Sequence, residues 1–265
     1  MLSRWCRPVL RETRATMTLA EAALISAVAF AASVLGGVAG YGTGLLMPLV
    51  LVPILGPEAV VPVISVSALF TNTSRIAAFW KALDRQRAGL VALSALPTCL
   101  LGAYGYTRLS GPGVSVLIGA VLIGLVPVRR VLTRYVGHLS GRGLVAAGAS
   151  YGMLVGGTSG SGVVLLSILL ASGLTGTGVI ATDAAISLVL GLTKAVVFQA
   201  AGALTPSLWL VALLIGVSAT PGAFVAKRLT AALSPRIHTS LLDAVVIAGG
   251  LALIVQGWRD ATELS

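Results

Sequence analysis

The stretch Gly36-Gly37-Val38-Ala39-Gly40-Tyr41-Gly42-Thr43-Gly44-Leu45-Leu46-Met47-Pro48 decides how this chain folds. It sits between two apolar segments and returns in altered form as Gly156-Gly157-Thr158-Ser159-Gly160-Ser161-Gly162. Gly36, Gly37, Gly40 and Gly42 match Gly156, Gly157, Gly160 and Gly162 at an offset of 120, and Leu45, Leu46 and Gly56 match Leu165, Leu166 and Gly176. Farther on, Pro97 matches Pro221 and Ser110 matches Ser234 at 124, so the offset grows near Gly202–Thr205. This is an internal duplication, and its length makes two copies of one plan the expectation. Five glycines in the nine residues 36–44 are a poor recipe for a packed soluble helix. In a membrane they permit close helix contact or a broken helix whose backbone faces a cavity. Transporters use the second option.

Composition agrees with a membrane setting. Charged residues make up 10% of the chain and hydrophobic ones 57%, too few charges to cover a soluble surface. Several windows reach the roughly 20 apolar residues that span a bilayer. The fold class is therefore an all-α polytopic membrane protein. The formal net charge of +10 is no nucleic-acid signal. Its bases fall in short segments between apolar runs, where the positive-inside rule puts them in the cytoplasm, and no basic patch interleaved with aromatics is present. Cys6 and Cys99 show no metal-ligand spacing and are expected to be unpaired. No cofactor motif is visible.

Taken in order, residues 1–16 form a basic tail carrying Arg4, Arg7, Arg11 and Arg14, expected in the cytoplasm. The apolar run 17–38 resembles a signal peptide, with Ala31-Ala32-Ser33 as a cleavage-like site, but it is too long for an h-region. It reads as a first span. Gly44–Leu55, interrupted by Pro48 and Pro53, covers only about 18 Å as a helix, short of the roughly 30 Å hydrocarbon core. Pro57 opens a long segment to Trp80, in the first-turn position that proline favours. A charged turn with Lys81, Asp84, Arg85 and Arg87 leads to spans at Ala88–Tyr106 and Gly113–Val128, completing a first repeat over 17–128. The linker 129–142 holds Arg129, Arg130, Arg134 and Arg142 without an acid, the strongest cytoplasmic marker in the chain. The second repeat, 143–257, repeats the plan with Gly143–Val155, the short Gly162–Ser172, then Gly178–Ala201, Pro206–Ala226 and Ile237–Gln256. Residues 258–265 are a C-terminal tail.

Parity tests this layout. With the tail, the 81–87 turn and the linker all inside, an even number of crossings must separate each pair. Two homologous repeats of about four full spans plus one short or re-entrant helix each satisfy that condition, and this is the expectation adopted. The same count leaves Lys227, Arg228 and Arg236 outside. Letting the short segments cross gives five spans per half and inverted repeats, but misplaces the linker.

Arg75 and Lys194 are the most informative charges. Arg75 ends Phe70-Thr71-Asn72-Thr73-Ser74-Arg75, and Lys194 ends Leu190-Gly191-Leu192-Thr193-Lys194; Thr73 matches Thr193, and Ser74 matches Lys194. Each half thus sets a hydroxyl and a base at a similar depth of its long helix. Ionisable groups within a membrane are costly and line polar pathways; with Asn72, Thr73 and Thr193 as hydrogen-bonding neighbours they suit an anion with several acceptor oxygens. The competing reading is that both side chains snorkel to the interface. Asp183 stands three turns before Lys194, about 16 Å away, too far for a direct pair. It reads as a coupling-proton site or as a helix-start residue favoured by the macrodipole. Glu58 reads as a helix-start carboxylate, and Asp243 as a partner of Arg236 or Lys227. Gly40, Gly42, Gly44, Gly160 and Gly162 offer backbone N–H groups at helix breaks, natural anion cradles, against plain packing through small residues. One enzyme reading exists: Gly157-Thr158-Ser159-Gly160 fits the Gly-x-Ser-Gly pattern of rhomboid intramembrane proteases, with His238 downstream. The duplication explains those glycines without catalysis, so no catalytic residue is assigned.

The glycine break followed by Leu-Leu-x-Pro, the long helix after a Gly-Pro turn, and the same plan after a basic linker resemble the TauE/SafE sulfite exporter family, also called the TSUP permeases. The resemblance runs from about Leu19 to Gly257. Tyr41 and Thr43 interrupt the first glycine run and Thr158, Ser159 and Ser161 the second, while Ile168 stands at the counterpart of Pro48. The resemblance implies transport of small sulfur-containing anions, such as sulfite, sulfoacetate or other organosulfonates, across a bacterial inner membrane. It also implies no ATPase, and no Walker motif is visible. The expected function is a secondary permease working by alternating access, with a passive anion channel as the competitor. Its expected partners are the small anion and the bilayer, with self-association open.

Overall fold

The computed structural model describes residues 17–39, 42–109, 114, 116–121, 123–124, 139, 141–229, 247, 251, 254–255 and 258. The basic tail 1–16, Gly40, Tyr41, most of the linker, Arg236, His238, Asp243 and the tail 259–265 lie outside them. Eight helices are bounded among these residues: α1 (Leu19–Ala39), α2 (Thr43–Leu55), α3 (Pro57–Phe79), α4 (Arg85–Tyr106), α5 (Gly141–Gly156), α6 (Gly162–Ala171), α7 (Thr177–Ala200) and α8 (Pro206–Leu229), with a 3-10 turn at Trp80–Ala82 between α3 and α4. In the expected spans Gly113–Val128 and Ile237–Gln256, the few described residues are helical.

Among the described residues, five helices are long and apolar enough to cross a membrane: α1, α3 with its 3-10 turn, α4, α7 and α8. At 16 residues, α5 covers about 24 Å, and α2 and α6 are shorter still. Local signals set the ends. Thr18 and Glu21 form a reciprocal capping box at α1, with Thr18 N–H donating to Glu21 Oε2 at 2.8 Å and Glu21 N–H to Thr18 Oγ1 at 3.2 Å. Gly56, with φ of 85°, turns α2 into α3, and Pro57 takes the first helical position. Gly176, with φ of 57°, does the same before α7.

Asp84 caps α4. Its Oδ1 accepts from Arg87 N–H at 2.9 Å, and its own N–H donates to Thr182 Oγ1 at 3.1 Å. Arg87 reaches on to Ser172 O at 3.1 Å, so the starts of α4 and α7 and the end of α6 are tied together. The Arg87 backbone bond comes first among the causes that hold the Asp84 carboxyl below its ordinary 3.8. Asp84→Ala is expected to cost about 1 kcal/mol at neutral pH, as capping residues do. Because the folded-state value is depressed, this contribution is complete above the ordinary value and fades as pH falls through the folded one. Unfolding midpoints of the two proteins should therefore differ at pH 7 and converge as pH falls below the ordinary carboxylate range.

Helix directions follow from paired contacts. At the centre, α3 and α7 are antiparallel: Gly191 lies against Ser65 and Leu69, while Asp183, earlier in α7, meets Arg75, later in α3. α4 and α5 run parallel, since Gly148, Gly152 and Gly156 press in turn on Val91 and Ser94, Ala95 and Thr98, and Cys99 and Ala103. α1 and α8 are parallel too, with Gly222 against Phe30 and Ser33, and Gly37 against Ala223 and Ala226. Small residues let these backbones approach, as membrane helices require in the absence of a hydrophobic drive between them. The short turn at 201–205 reverses α7 into α8. Thus α1, α3 and α8 point one way, and α4, α5 and α7 the other.

That result corrects the expected layout. Since α1 and α3 point the same way, α2 carries the chain back between them. The return starts inside the bundle, where Gly42 sits against Ala32 O and Gly36 N, too close for any side chain on Gly42. The start of α1 is therefore on the face opposite the 81–87 turn, not on the same face. The 81–87 turn, Arg142 at the start of α5, and Lys227 and Arg228 at the end of α8 share one face. The conflict over Lys227 and Arg228 came from treating the short segments as non-crossing. A glycine break lets a short helix traverse part of the bundle, a geometry that length alone conceals.

Candidate functional site

The site grows from two polar stripes on the central helices. On α3, Ser65, Ala68, Asn72 and Arg75 recur at helical spacing. On α7, Asp183, Ser187, Gly191 and Lys194 do the same, so each set lies on one face. Both faces, with Ser67 and Thr71, line a cavity of about 880 Å³, its open mouth included. The glycine breaks supply the other walls. Gly42 to Leu45 and Thr158 to Gly162 line the cavity, together with Ser33 and Tyr151. The two breaks touch: a Cβ on Gly44 would stand 2.9 Å from Gly160 N. Gly160 has φ of 80°, a conformation that side-chain-bearing residues rarely adopt.

Three charged groups are buried here. Arg75 is 8% exposed, Asp183 1% and Lys194 5%. Arg75 Nη2 lies 2.9 Å from Asp183 Oδ2. Its guanidinium also donates to Asn72 Oδ1 at 3.3 Å and to Ile180 O at 3.4 Å. Lys194 Nζ donates to Thr158 O at 2.8 Å and pairs with no carboxylate among the described residues. Arg75 and Asp183 cancel; Lys194 does not. The described residues of the cavity wall therefore carry a net charge of +1. Among the described residues, the buried Ser33 Oγ, Ser159 Oγ and Asp183 Oδ1 have no hydrogen-bond partner. Buried polar atoms of this kind are met by water or by a bound ion.

Arg75, Asn72, Lys194, Asp183, Gly42, Gly44, Gly160 and Gly162, picked out on sequence, all line this cavity. Gly40 lies outside the described residues. Thr73 and Thr193 do not join them. Thr73 is exposed and its hydroxyl donates to Leu69 O at 2.7 Å; Thr193 is half-buried and donates to Val189 O at 3.0 Å. Both spend their hydroxyls on their own helix, on faces turned from the cavity. Arg75 does not snorkel; it turns inward to Asp183. That partnership was missed because it breaks the duplication: Val63 stands at the counterpart of Asp183, and Ala195 at that of Arg75. Ser65, Ser67, Thr71, Tyr151 and Ser187 were missed too. For Ser65 and Ser187 the stripe periodicity was the signal, and Ser67 and Ser187 share a repeat position. No group of three or more His, Cys, Asp or Glu among the described residues could hold a metal ion.

Compared with known proteins, residues 25–253 match the model of the family described as Sulfite exporter TauE/SafE. No curated protein and no solved structure matches the chain.

Proposed function

Since the chain belongs to the sulfite exporter TauE/SafE family, whose members are membrane transporters and not enzymes, we propose that it is a secondary permease for a small sulfur-containing anion such as sulfite or an organosulfonate. One observation carries this reading: Lys194 is a buried cation with no counter-charge among the described residues, facing a cavity in which the buried Ser159 hydroxyl has no partner among them. A lone buried charge is strongly disfavoured. A compact oxyanion would neutralise it and accept from Lys194 and Ser159 together with the N–H groups of the glycine breaks. Arg75 acts here mainly through Asp183 and Asn72, so Lys194 holds the first negative charge.

Alternating access is supported by the way helices exchange partners. Under the duplication Gly37 corresponds to Gly157 and Ala226 to Gly102; Gly37 packs on Ala226, and Gly157 on Gly102. With α3 and α7 antiparallel, repeats related in this way are inverted, with their axis in the membrane plane and the substrate where the breaks meet. Rocking one half on the other would expose the cavity to each side in turn. The face that gathers Lys81, Arg85, Arg87, Arg142, Lys227 and Arg228 is the cytoplasmic one by the positive-inside rule, in a bacterial inner membrane. The start of α1 then faces the other side.

The test is counterflow in proteoliposomes. Vesicles loaded with unlabelled sulfite should transiently accumulate external labelled sulfite above equilibrium, with saturable kinetics. Linear flux without accumulation would make the protein a passive channel instead.

A further inference from the structure

The charge on the cavity wall decides which anions enter alone and which bring a proton. The described residues of the site carry +1, from Lys194, because Arg75 and Asp183 cancel. A monoanion brings the buried site to zero. A dianion brings it to −1, which burial penalises strongly, unless one further positive charge comes with it.

Resting on the anion-permease reading above, we propose that Asp183 is the proton-binding site that admits a doubly charged anion. A monoanion enters with the Arg75–Asp183 pair intact. A dianion enters with one proton from water, which goes onto the Asp183 carboxyl and turns Arg75 from its partner to the second negative charge. Once the anion leaves, the proton leaves and the pair re-forms, so the anion and the carboxylate alternate on one guanidinium.

The geometry supports this division of labour. Asp183 engages Arg75 through Oδ2 alone, while Oδ1, buried and without a partner among the described residues, is placed to take the proton. Both side chains line the cavity and therefore meet the anion directly. Among the described residues, the titratable and charged groups around Asp183 are few. They are Arg75 from α3, the neutral Tyr151 hydroxyl from α5 on the same cavity wall, and Lys194 three turns along its own helix. The turn packed on the start of α7 adds Lys81 and Asp84, and Asp84 meets Thr182 through its backbone N–H. None of these supplies a second positive charge to the cavity. Lys194 and Arg75 thus hold separate posts, one standing and one conditional.

Isethionate and sulfoacetate differ little in size and by one negative charge, so they separate the two cases. Wild-type protein in liposomes, with a pH-sensitive dye inside, should move one proton with each sulfoacetate and none with isethionate. Where protonation limits the rate, sulfoacetate flux should rise about tenfold per unit fall in pH, and isethionate flux should stay flat. Asp183→Asn should move sulfoacetate without a proton and without that pH dependence. Sulfoacetate that moves in wild type without a proton, that does not move at any pH while isethionate does, or that still brings one proton in Asp183→Asn would each overturn the inference. Should Asp183→Asn fail to insert, the wild-type proton count decides alone. If sulfite counterflow survives any of these failures, the permease reading stands without the proton site; if wild type moves no anion at all, both fall.

Discussion

Lys194→Met is expected to abolish saturable anion flux, by at least about 100-fold, while leaving the protein as stable as wild type or more so. The two halves of that expectation have one cause. Lys194 is held by a single carbonyl, Thr158 O, and faces no carboxylate among the described residues, so the fold bears the desolvation of a cation that only the substrate repays. Replacing a buried charge by an apolar side chain of similar volume is often neutral or stabilising. For the anion, loss of a desolvated charge partner costs about 3 kcal/mol or more, two powers of ten in binding at about 1.4 kcal/mol each. A rise of a few degrees in unfolding midpoint with flux gone would mark Lys194 as functional and not structural. Equal loss of flux and stability would mark it as a packing element.

The opposite pattern is expected one helix face away. Arg75→Met alone should destabilise the protein by about 3–5 kcal/mol, because it strands the Asp183 carboxylate in a site where that residue is 1% exposed. Arg75→Met combined with Asp183→Leu should recover most of the loss, since two apolar groups replace a pair whose desolvation roughly offsets its attraction. A double-mutant cycle on unfolding midpoints reads the coupling. Strict additivity of the two changes would mean that the 2.9 Å contact does not hold in the membrane.

What the sequence made legible, and what it concealed, follows from helical phase. The glycine breaks and the long apolar segments declare themselves in composition and spacing, and the family resemblance rested on the same features. The bases Arg75 and Lys194 stood out because a charge within an apolar run is rare. Thr73 and Thr193 were grouped with them by adjacency, but residues one or two apart on a helix do not share a face. Counting by threes and fours from Arg75 reaches Asn72, Ala68 and Ser65 instead, the residues that line the cavity. The Arg75–Asp183 pair could not be read from the repeat, since the two halves have diverged at those positions. Helix direction was hidden for another reason: a helix of 13 residues, such as α2, is too short to register as a crossing until its glycine break is seen to start within the bundle.

On the proposed reading, an anion completes the charge balance at Lys194. Thermal unfolding of purified wild type and Lys194→Met with sulfite, isethionate and chloride tests it most directly. A ligand at a hundred times its Kd stabilises by about 2.7 kcal/mol, a visible shift. The unfolding midpoint should rise with sulfite or isethionate in wild type, little with chloride, and not at all in Lys194→Met. An equal rise in Lys194→Met, or the same rise with chloride, would contradict it.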